Sequence, residues 1–389
     1  MTKITLFSQI INKLDRSVFK TLVQDKKSDK YSKGINSWTH LIAMLFLQFS
    51  ASNSLREVCN GLRSATGNLV HLGLKRSPSK SSLSYINEKR DWTLFQDYYF
   101  KLLAHFSNLA GFKQKKFRIK SKIYLLDSTT ISLCLSLFDW ARYRTAKGAI
   151  KLHTVLDYDS CLPVYINMSD GKVNDDKAAK EITFQKGSVV VMDRAYVDFL
   201  MLYSWVQAGV SFVTRLKTNI KYIKLEERPL PENKAQHILI DEYIELSNEE
   251  TKAKYPKKLR RVVVFNAENN ETIELITNNF TWTAETIGEL YKSRWQIEIF
   301  FKEIKQLLRI KSFVGTSANA VLIQIWTAMI TILILKYMKH IAKYNWCLSN
   351  LVAFLRLNLF VKIDLLLWLD KPFDDHNVIV IDTQQQRLF

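Results

Sequence analysis

At 389 residues with 47% hydrophobic content, the chain can bury a sizeable core in two or three domains, which excludes a disordered polypeptide. Its 56 Lys and Arg against 37 Asp and Glu leave a formal charge of +19, which points to a polyanionic partner such as nucleic acid. Cys59, Cys134, Cys161 and Cys347 are scattered without a CxxC or Cys/His cluster, so neither a disulfide framework nor a structural zinc site is indicated. The opening MTKITLFSQIINKLDRSVF lacks the apolar core of a signal peptide. The most hydrophobic run, 320–335, is short for a membrane span and contains Gln324; it reads as a buried core helix of a cytoplasmic protein.

Residues 1 to about 112 read as helical. WTHLIAMLFLQFSA (38–51) forms an apolar helix and SLREVCNGLRS another. In SPSKSSLSYINEKRDW (77–92), Ser77 is the expected N-cap and Pro78 the first helical residue. The pair has the look of a helix-turn-helix, a weak signal. GFKQKKFRIKSK (111–122) carries six basic residues and no acid, as a linker or phosphate-touching surface would. The pattern then turns to strands. IYLLDSTTISL has Asp127 just past its apolar core, AIKLHTVLDY and LPVYINMSDG meet at a turn around Asp159 and Ser160, and SVVVMDRAY ends its buried run at Asp193. DDKAAKEI reads as a short helix, VDFLMLYSWVQAG as a helix closed by Gly209, and VSFVTRLK as a further strand. Three meandering strands followed by alternating helices and strands make a mixed α/β sheet that resembles the ribonuclease-H-like fold. Residues 217–280 interrupt it as a β-rich insertion with a hairpin at Asn269 and Asn270. The remainder is helical and fades into a polar tail. The expected organisation is a helical N-terminal DNA-binding domain (1–112), a ribonuclease-H-like catalytic domain (120–316) interrupted by 217–280, and a helical C-terminal region (317–389).

The stretch YKSRWQIEIFFKEIKQLLRI (291–310) has no Pro or Gly and reads as one helix. At about 100° per residue, Tyr291, Arg294, Glu298 and Lys305 share an arc roughly 60° wide, beside an apolar arc at roughly 160° to 280°. Lys302 falls close to them. Asp127 and Asp193 each follow a hydrophobic strand, where open α/β sheets bind ligands. If those strands are neighbours, Glu298 can join them. Three carboxylates can hold two hard divalent cations, so Mg²⁺ or Mn²⁺ suits them and zinc does not. Alone, a strand-end Asp is more often a turn or cap residue, and Glu298 with Arg294 and Lys302 reads as i,i+4 surface pairs; the joint pattern carries the case. Arg194, Arg215 and Lys217 are further phosphate candidates. His153 is an auxiliary candidate, with a structural role the commoner one for a lone strand His. Trp295 is expected to pack rather than to stack on a base.

Taken together, Tyr291-x2-Arg294-x3-Glu298-x6-Lys305, YLLDSTT around Asp127 and VVVMDRAY around Asp193 resemble the motifs of bacterial insertion-sequence transposases of the DDE type with the Tyr-Arg-Glu-Lys signature. The resemblance covers residues 120 to 315. That family's base-gripping Trp, in the insertion, has no clear match here. The resemblance implies that Asp127, Asp193 and Glu298 are catalytic metal ligands, that Arg294 and Lys305 neutralise phosphates, and that Tyr291 meets the DNA backbone. It also implies cut-and-paste excision through a hairpin, double-stranded DNA partners (terminal inverted repeats and target), a homodimer bridging both ends, and a nucleoid-associated location in a bacterium. Two alternatives stay open: a metal-dependent nuclease of the same fold, which cuts without joining, and a non-catalytic DNA-binding relic, against which the intact acids argue.

Overall fold

The computed structural model describes residues 4–32, 34–65, 67–110, 117, 119–133, 142–144, 147–170, 175–230, 237–267 and 269–374. Most of the basic 111–122 segment, the 382–389 tail and Cys134 lie outside these described residues. Two compact units divide the chain: Met1–Ala110 with Leu307–Phe389, and Gly111–Gln306.

The first unit is helical. It begins with α1 (Leu6–Ile11), α2 (Arg16–Asp25), α3 (Ser37–Ser50), α4 (Leu55–Ser64), a 3-10 turn at Leu69–Leu72, α5 (Lys80–Lys89) and α6 (Thr93–Ala110). Thr5, Asp15, Asn36, Ser54 and Ser79 cap these helices by accepting N–H bonds with their side chains, which meets donors the first turn leaves unpaired. The cap of α5 is therefore Ser79, not Ser77. Ser79 takes the Ser82 N–H, whereas the Ser77 hydroxyl donates to the Cys59 carbonyl at 2.7 Å. Fifteen residues including the 3-10 turn separate α4 from α5, so the short turn of a helix-turn-helix is not formed.

The second unit follows with β1 (Ile123–Leu133), β2 (Arg142–Arg144), β3 (Lys147–Asp157), β4 (Leu162–Asp170), α7 (Asp175–Ala179), β5 (Val189–Met192), a 3-10 turn at Arg194–Tyr196, α8 (Phe199–Gln207), β6 (Ser211–Arg215), β7 (Tyr222–Glu227), β8 (Ile238–Leu246), α9 (Glu249–Lys254), β9 (Leu259–Asn266), β10 (Glu271–Thr277), α10 (Ala284–Ser293) and α11 (Trp295–Leu307). Among the described residues these strands form one mixed sheet in the order β2-β3-β1-β5-β6-β10-β9-β8-β7, with β4 also on β3. The meander β1-β3-β4 is antiparallel, while β1, β5 and β6 run parallel. Strands of the expected β-rich insertion belong to this same sheet. The insertion's last strand, β10, pairs antiparallel with β6, from Leu275↔Arg215 to Thr277↔Val213, and so extends the central ladder. Asn270, in the β9–β10 turn, adopts φ 50, a conformation Asn tolerates better than most residues. Gly209 does the same after α8, at φ 74.

Side chains alternate across β1. Leu126 and its neighbours Val190, Met192 and Phe212 pack with Tyr196, Leu202 and Trp205 on the α8 side. Asp127 and Thr129 therefore face the other side, from which Arg294 and Lys305 reach them.

The chain returns to the first unit with α12 (Ala318–Ile341), α13 (Leu348–Asn358) and α14 (Leu365–Asp370). α12 is long and apolar enough to cross a membrane, yet 83% of its most apolar window is buried inside the protein, as the core helix of the helical unit. Its Gln324 is fully buried and satisfied: Nε2 donates to the carbonyls of Arg309 and Ser312, and Oε1 accepts the Val314 N–H.

Candidate active site at the ends of the parallel strands

β1 and β5 are hydrogen-bonded neighbours, registered from Ile123↔Val189 to Leu126↔Met192. Asp127, inside β1, and Asp193, which follows β5 and caps the 3-10 turn, are the next residues past the last registered pair, so they stand side by side where the parallel ladder ends. Beyond Met192 the chain turns into its 3-10 segment, and the Asp193 carboxylate accepts the Ala195 N–H at 3.4 Å. Asp127 accepts its neighbour's N–H, from Ser128, at 2.8 Å.

The 291–310 stretch is not one helix. α10 ends at Ser293 and α11 starts at Trp295, with i,i+3 bonds from Arg294 N–H to Tyr291 and from Ile297 N–H to Arg294. The Ser293 hydroxyl also bonds back to the Leu290 carbonyl at 2.6 Å, which competes with the helical ladder there. The interruption leaves Arg294 at a tightened turn with its guanidinium bridging two acids. Nη1 donates to Asp127 Oδ2 at 2.9 Å, and Nη2 pairs with Glu298 Oε1 at 2.7 Å. The same group sits 5.7 Å from the Tyr291 ring centroid, within cation–π range. In the last turn of α11, Lys305 Nζ donates to Thr129 Oγ1 at 2.5 Å, two residues along β1 from Asp127.

These charges shape the site. Burial pushes the Asp127 carboxyl up to about 6. Arg294 and the Ser128 N–H act against that, and the negative Asp193 and Glu298 add to it. Asp127, Asp193 and Glu298 thus share one field, in which a single Arg leaves the negative charge undercompensated. Hard oxygen donors and excess negative charge suit a divalent cation. As the side chains lie, though, no three of the described His, Cys, Asp and Glu residues stand close enough to hold an ion, and Arg294 bridges Asp127 and Glu298. Tyr291 is half-buried, and burial raises its pKa while Arg294 lowers it.

The other expected residues are placed more variously. Lys302 and Arg194 are exposed. Arg215 is ion-paired to Glu271, within electrostatic reach of Tyr291. Lys217 donates to the Val197 carbonyl at 2.9 Å and so braces the turn after Asp193. His153 lies on the Ser128 side of the sheet, opposite the face of Asp127, because it is the cross-strand partner of Ser128. It is fully buried, with Nε2 3.0 Å from the Ser169 hydroxyl. The expectation for Trp295 fails: it is 60% exposed, and Ile299, one turn on, is 45% exposed. The helical wheel already set both outside the apolar arc, so the signal was present. Sequence reasoning missed Asp175 altogether. Its Oδ1 accepts from the Ser128 hydroxyl at 2.6 Å and its Oδ2 from Lys151 at 2.9 Å. Burial pushes its pKa up, but the adjacent His153 and the hydrogen bonds from Ser128 and Lys151 outweigh that and hold the carboxyl below the usual range.

Residues 118–334 match the family described as "Transposase DDE domain", and residues 2–75 match a "Domain of unknown function (DUF4372)". Over 264 residues the chain is 32% identical to a putative transposase, y4zB, of Sinorhizobium fredii, covering 67% of this chain and 71% of that protein. It is 28% identical to the probable transposase for insertion sequence element IS5377 of Geobacillus stearothermophilus, over 62% of this chain and 64% of that one. It is 27% identical to the putative transposase for insertion sequence element IS4SA of a Synechocystis strain, over 74% and 80%. Among solved structures, a piggyBac transposase synaptic complex with hairpin DNA aligns at 10% identity and TM-score 0.44, over 91% of this chain and 78% of that one. With the DDE domain spanning more than half of its length, the chain belongs to the DDE transposases of bacterial insertion sequences, metal-dependent enzymes that cut and join DNA.

Proposed function

We propose that Asp127, Asp193 and Glu298 are the catalytic carboxylates of this transposase, and that they hold Mg²⁺ or Mn²⁺ for cutting element ends and joining them to target DNA. The observation that carries this reading is the placement of Asp127 and Asp193 side by side where the parallel β1–β5 ladder ends, with Glu298 joined to Asp127 through Arg294. When bound, two such cations activate a water or 3′-hydroxyl and stabilise the leaving oxygen. Arg294 and Lys305 meet the phosphates flanking the scissile bond, Arg294 by exchanging a carboxylate for a phosphate oxygen. Tyr291 supports the Arg294 guanidinium with its ring and meets the DNA backbone. Lys302, Arg194 and Arg215 extend the basic surface. Lys217 acts through its bond to the Val197 carbonyl. The spacing of these residues supports the Tyr-Arg-Glu-Lys signature. The strand order β4-β3-β1-β5-β6, three antiparallel then two parallel, supports a ribonuclease-H-like catalytic domain at 120–316.

The same reading gives the 1–112 region the task of holding the terminal inverted repeats, with 317–389 completing the helical part. Exposed Lys75, Arg76, Lys80 and Tyr85 at and before α5 support it. A homodimer bridging two ends, excision through a hairpin, and a cytoplasmic, nucleoid-associated location complete the proposal.

The test is cleavage and joining of end DNA by the full chain with Mg²⁺ or Mn²⁺. Asp127→Asn, Asp193→Asn and Glu298→Gln are each expected to abolish both steps while retaining DNA binding. A folded variant that still cuts would remove that residue from the site. Cutting without joining by the parent chain would favour a nuclease.

A further inference from the structure

Directly behind Asp127, on the opposite face of β1, one carboxylate gathers side chains from separate elements. Ser128 comes from β1, Lys151 and His153 from β3, and Asp175 from the start of α7. His153 Nδ1 lies 3.4 Å from Asp175 Oδ1. α7 packs against both β3 and the 3-10 turn that follows Asp193. From that turn Tyr196 inserts into the same core as Leu126 and Met192, where its buried phenol lies in the field of Asp175 and Asp127.

We propose that Asp175 is a positioning residue of the transposition chemistry, tying the strand that carries Asp127 to the turn that carries Asp193 and so fixing the spacing of the two carboxylates. This rests on the catalytic reading of Asp127 and Asp193 given above. Ser128 is the residue after Asp127, so a bond at its hydroxyl holds the backbone from which Asp127 projects. Tyr196 is three residues after Asp193, and the Asp193 carboxylate itself caps the 3-10 turn between them. Catalytic constellations must be held within about 0.5 Å, and a satisfied polar network around one carboxylate gives such definition. A second feature supports the assignment: half-buried Lys151 and fully buried His153 both come from β3, so the anchor is fixed to the sheet itself. Deleting the carboxylate leaves those donors without it and frees β1 to relax by a fraction of an ångström, a displacement large enough to impair two-cation catalysis.

The experiment compares full-length Asp175→Asn, Ser128→Ala and Tyr196→Phe with the parent chain and with Asp127→Asn. Four quantities are read: melting temperature, end-DNA binding, cleavage rate against Mn²⁺ concentration, and the rise in melting temperature caused by Mn²⁺ alone. Asp175→Asn is expected to stay folded at the assay temperature and to bind end DNA as the parent does. It should cleave ten- to a hundred-fold more slowly, need about tenfold more Mn²⁺ for half its maximal rate, and show a smaller Mn²⁺-induced rise. Ser128→Ala and Tyr196→Phe should shift the metal requirement in the same direction by about three- to tenfold. A parent-like metal requirement and Mn²⁺-induced rise in folded Asp175→Asn overturn the proposal. Should that variant not fold, the same result in both Ser128→Ala and Tyr196→Phe overturns it. If Asp127→Asn itself cleaves, the catalytic reading falls. If Asp127→Asn is dead while Asp175→Asn behaves as the parent, only the positioning role falls.

Discussion

Replacing Asp127 by Asn should make the protein more stable at neutral pH while removing its activity. The Asp127 carboxyl is pushed from 3.8 up to about 6, with burial the largest cause and Arg294 the main opposing influence. A raised carboxyl means that the folded state holds the proton more tightly than the unfolded state. The stability this gives is complete below 3.8 and is lost as pH rises through about 6. At about 1.36 kcal/mol per pH unit, ionised Asp127 costs the fold about 3 kcal/mol above pH 7. Asn has the shape of the protonated acid and still accepts from Arg294, so it escapes most of that cost. The same linkage leaves a difference of only about 1 kcal/mol at pH 4.5. For a domain of the catalytic unit's size, about 2–4 °C per kcal/mol translates the neutral-pH gain into about 6–12 °C. The assay is urea denaturation and calorimetry of both proteins in EDTA at pH 7.5 and 4.5. An Asn variant no more stable than the parent at pH 7.5, or a difference independent of pH, would refute the reasoning.

Other perturbations test other parts. Asp175→Asn should act with the opposite sign: its folded carboxyl is held low, so its stabilising contribution is present at neutral pH and fades as pH falls below about 4. The variant should therefore unfold at lower urea than the parent at pH 7.5, with the gap closing under acid. Arg294→Ala should raise the Asp127 pKa further and slow end cleavage about ten- to a hundred-fold, since a charge-assisted contact is worth about 1.5–3 kcal/mol. Arg294→Lys should be impaired too, because one ammonium cannot bridge two acids with Arg geometry, whereas Lys305→Arg should be milder. Trp295→Ala should change stability by less than about 0.5 kcal/mol, while Phe300→Ala, on the buried side of α11, should cost about 3–5 kcal/mol in denaturant titrations. Arg260 grips Asp241 in a buried bidentate pair at 2.8 and 2.7 Å, so Asp241→Ala should cost about 3–5 kcal/mol.

The strands were readable because their signals are local. β1 coincides with IYLLDSTTISL, and the side-by-side placement of Asp127 and Asp193 follows from two buried runs that each end in an acid. The wheel over 291–305 correctly put Arg294 and Glu298 within reach, since i,i+4 proximity survives a single tightened turn. It could not show the break at Arg294, which depends on the Ser293 hydroxyl finding the Leu290 carbonyl. The Ser77 expectation failed because Ser77 and Ser79 are both good caps flanking one proline, and the bond from Ser77 to Cys59 is tertiary. Asp175 was illegible for a related reason. Nothing in NDDKAAK signals that its partners lie 47 residues upstream at Ser128 and 24 upstream at Lys151. Nor does any local pattern show that β10 closes onto β6, because that pairing depends on which edge of a sheet is free.

That β6–β10 pairing has a consequence for synthesis. β6 bonds on one side to β5, whose edge is available early, but its other edge waits for β10. About 60 residues separate the two, and at about 5–20 residues per second the ribosome takes roughly 3–12 s to supply them. During that interval Ser211–Arg215 presents unpaired N–H and C=O groups beside the apolar strand Val189–Met192, a template for any second nascent chain. β7, β8 and β9 emerge within the same window and can pair with one another before they dock. If strands pair as they emerge, the β6–β10 ladder is the last to close. Substitutions that loosen the β9–β10 hairpin at Asn270 should lower the yield of soluble protein more than they lower the melting temperature of the molecules that do fold.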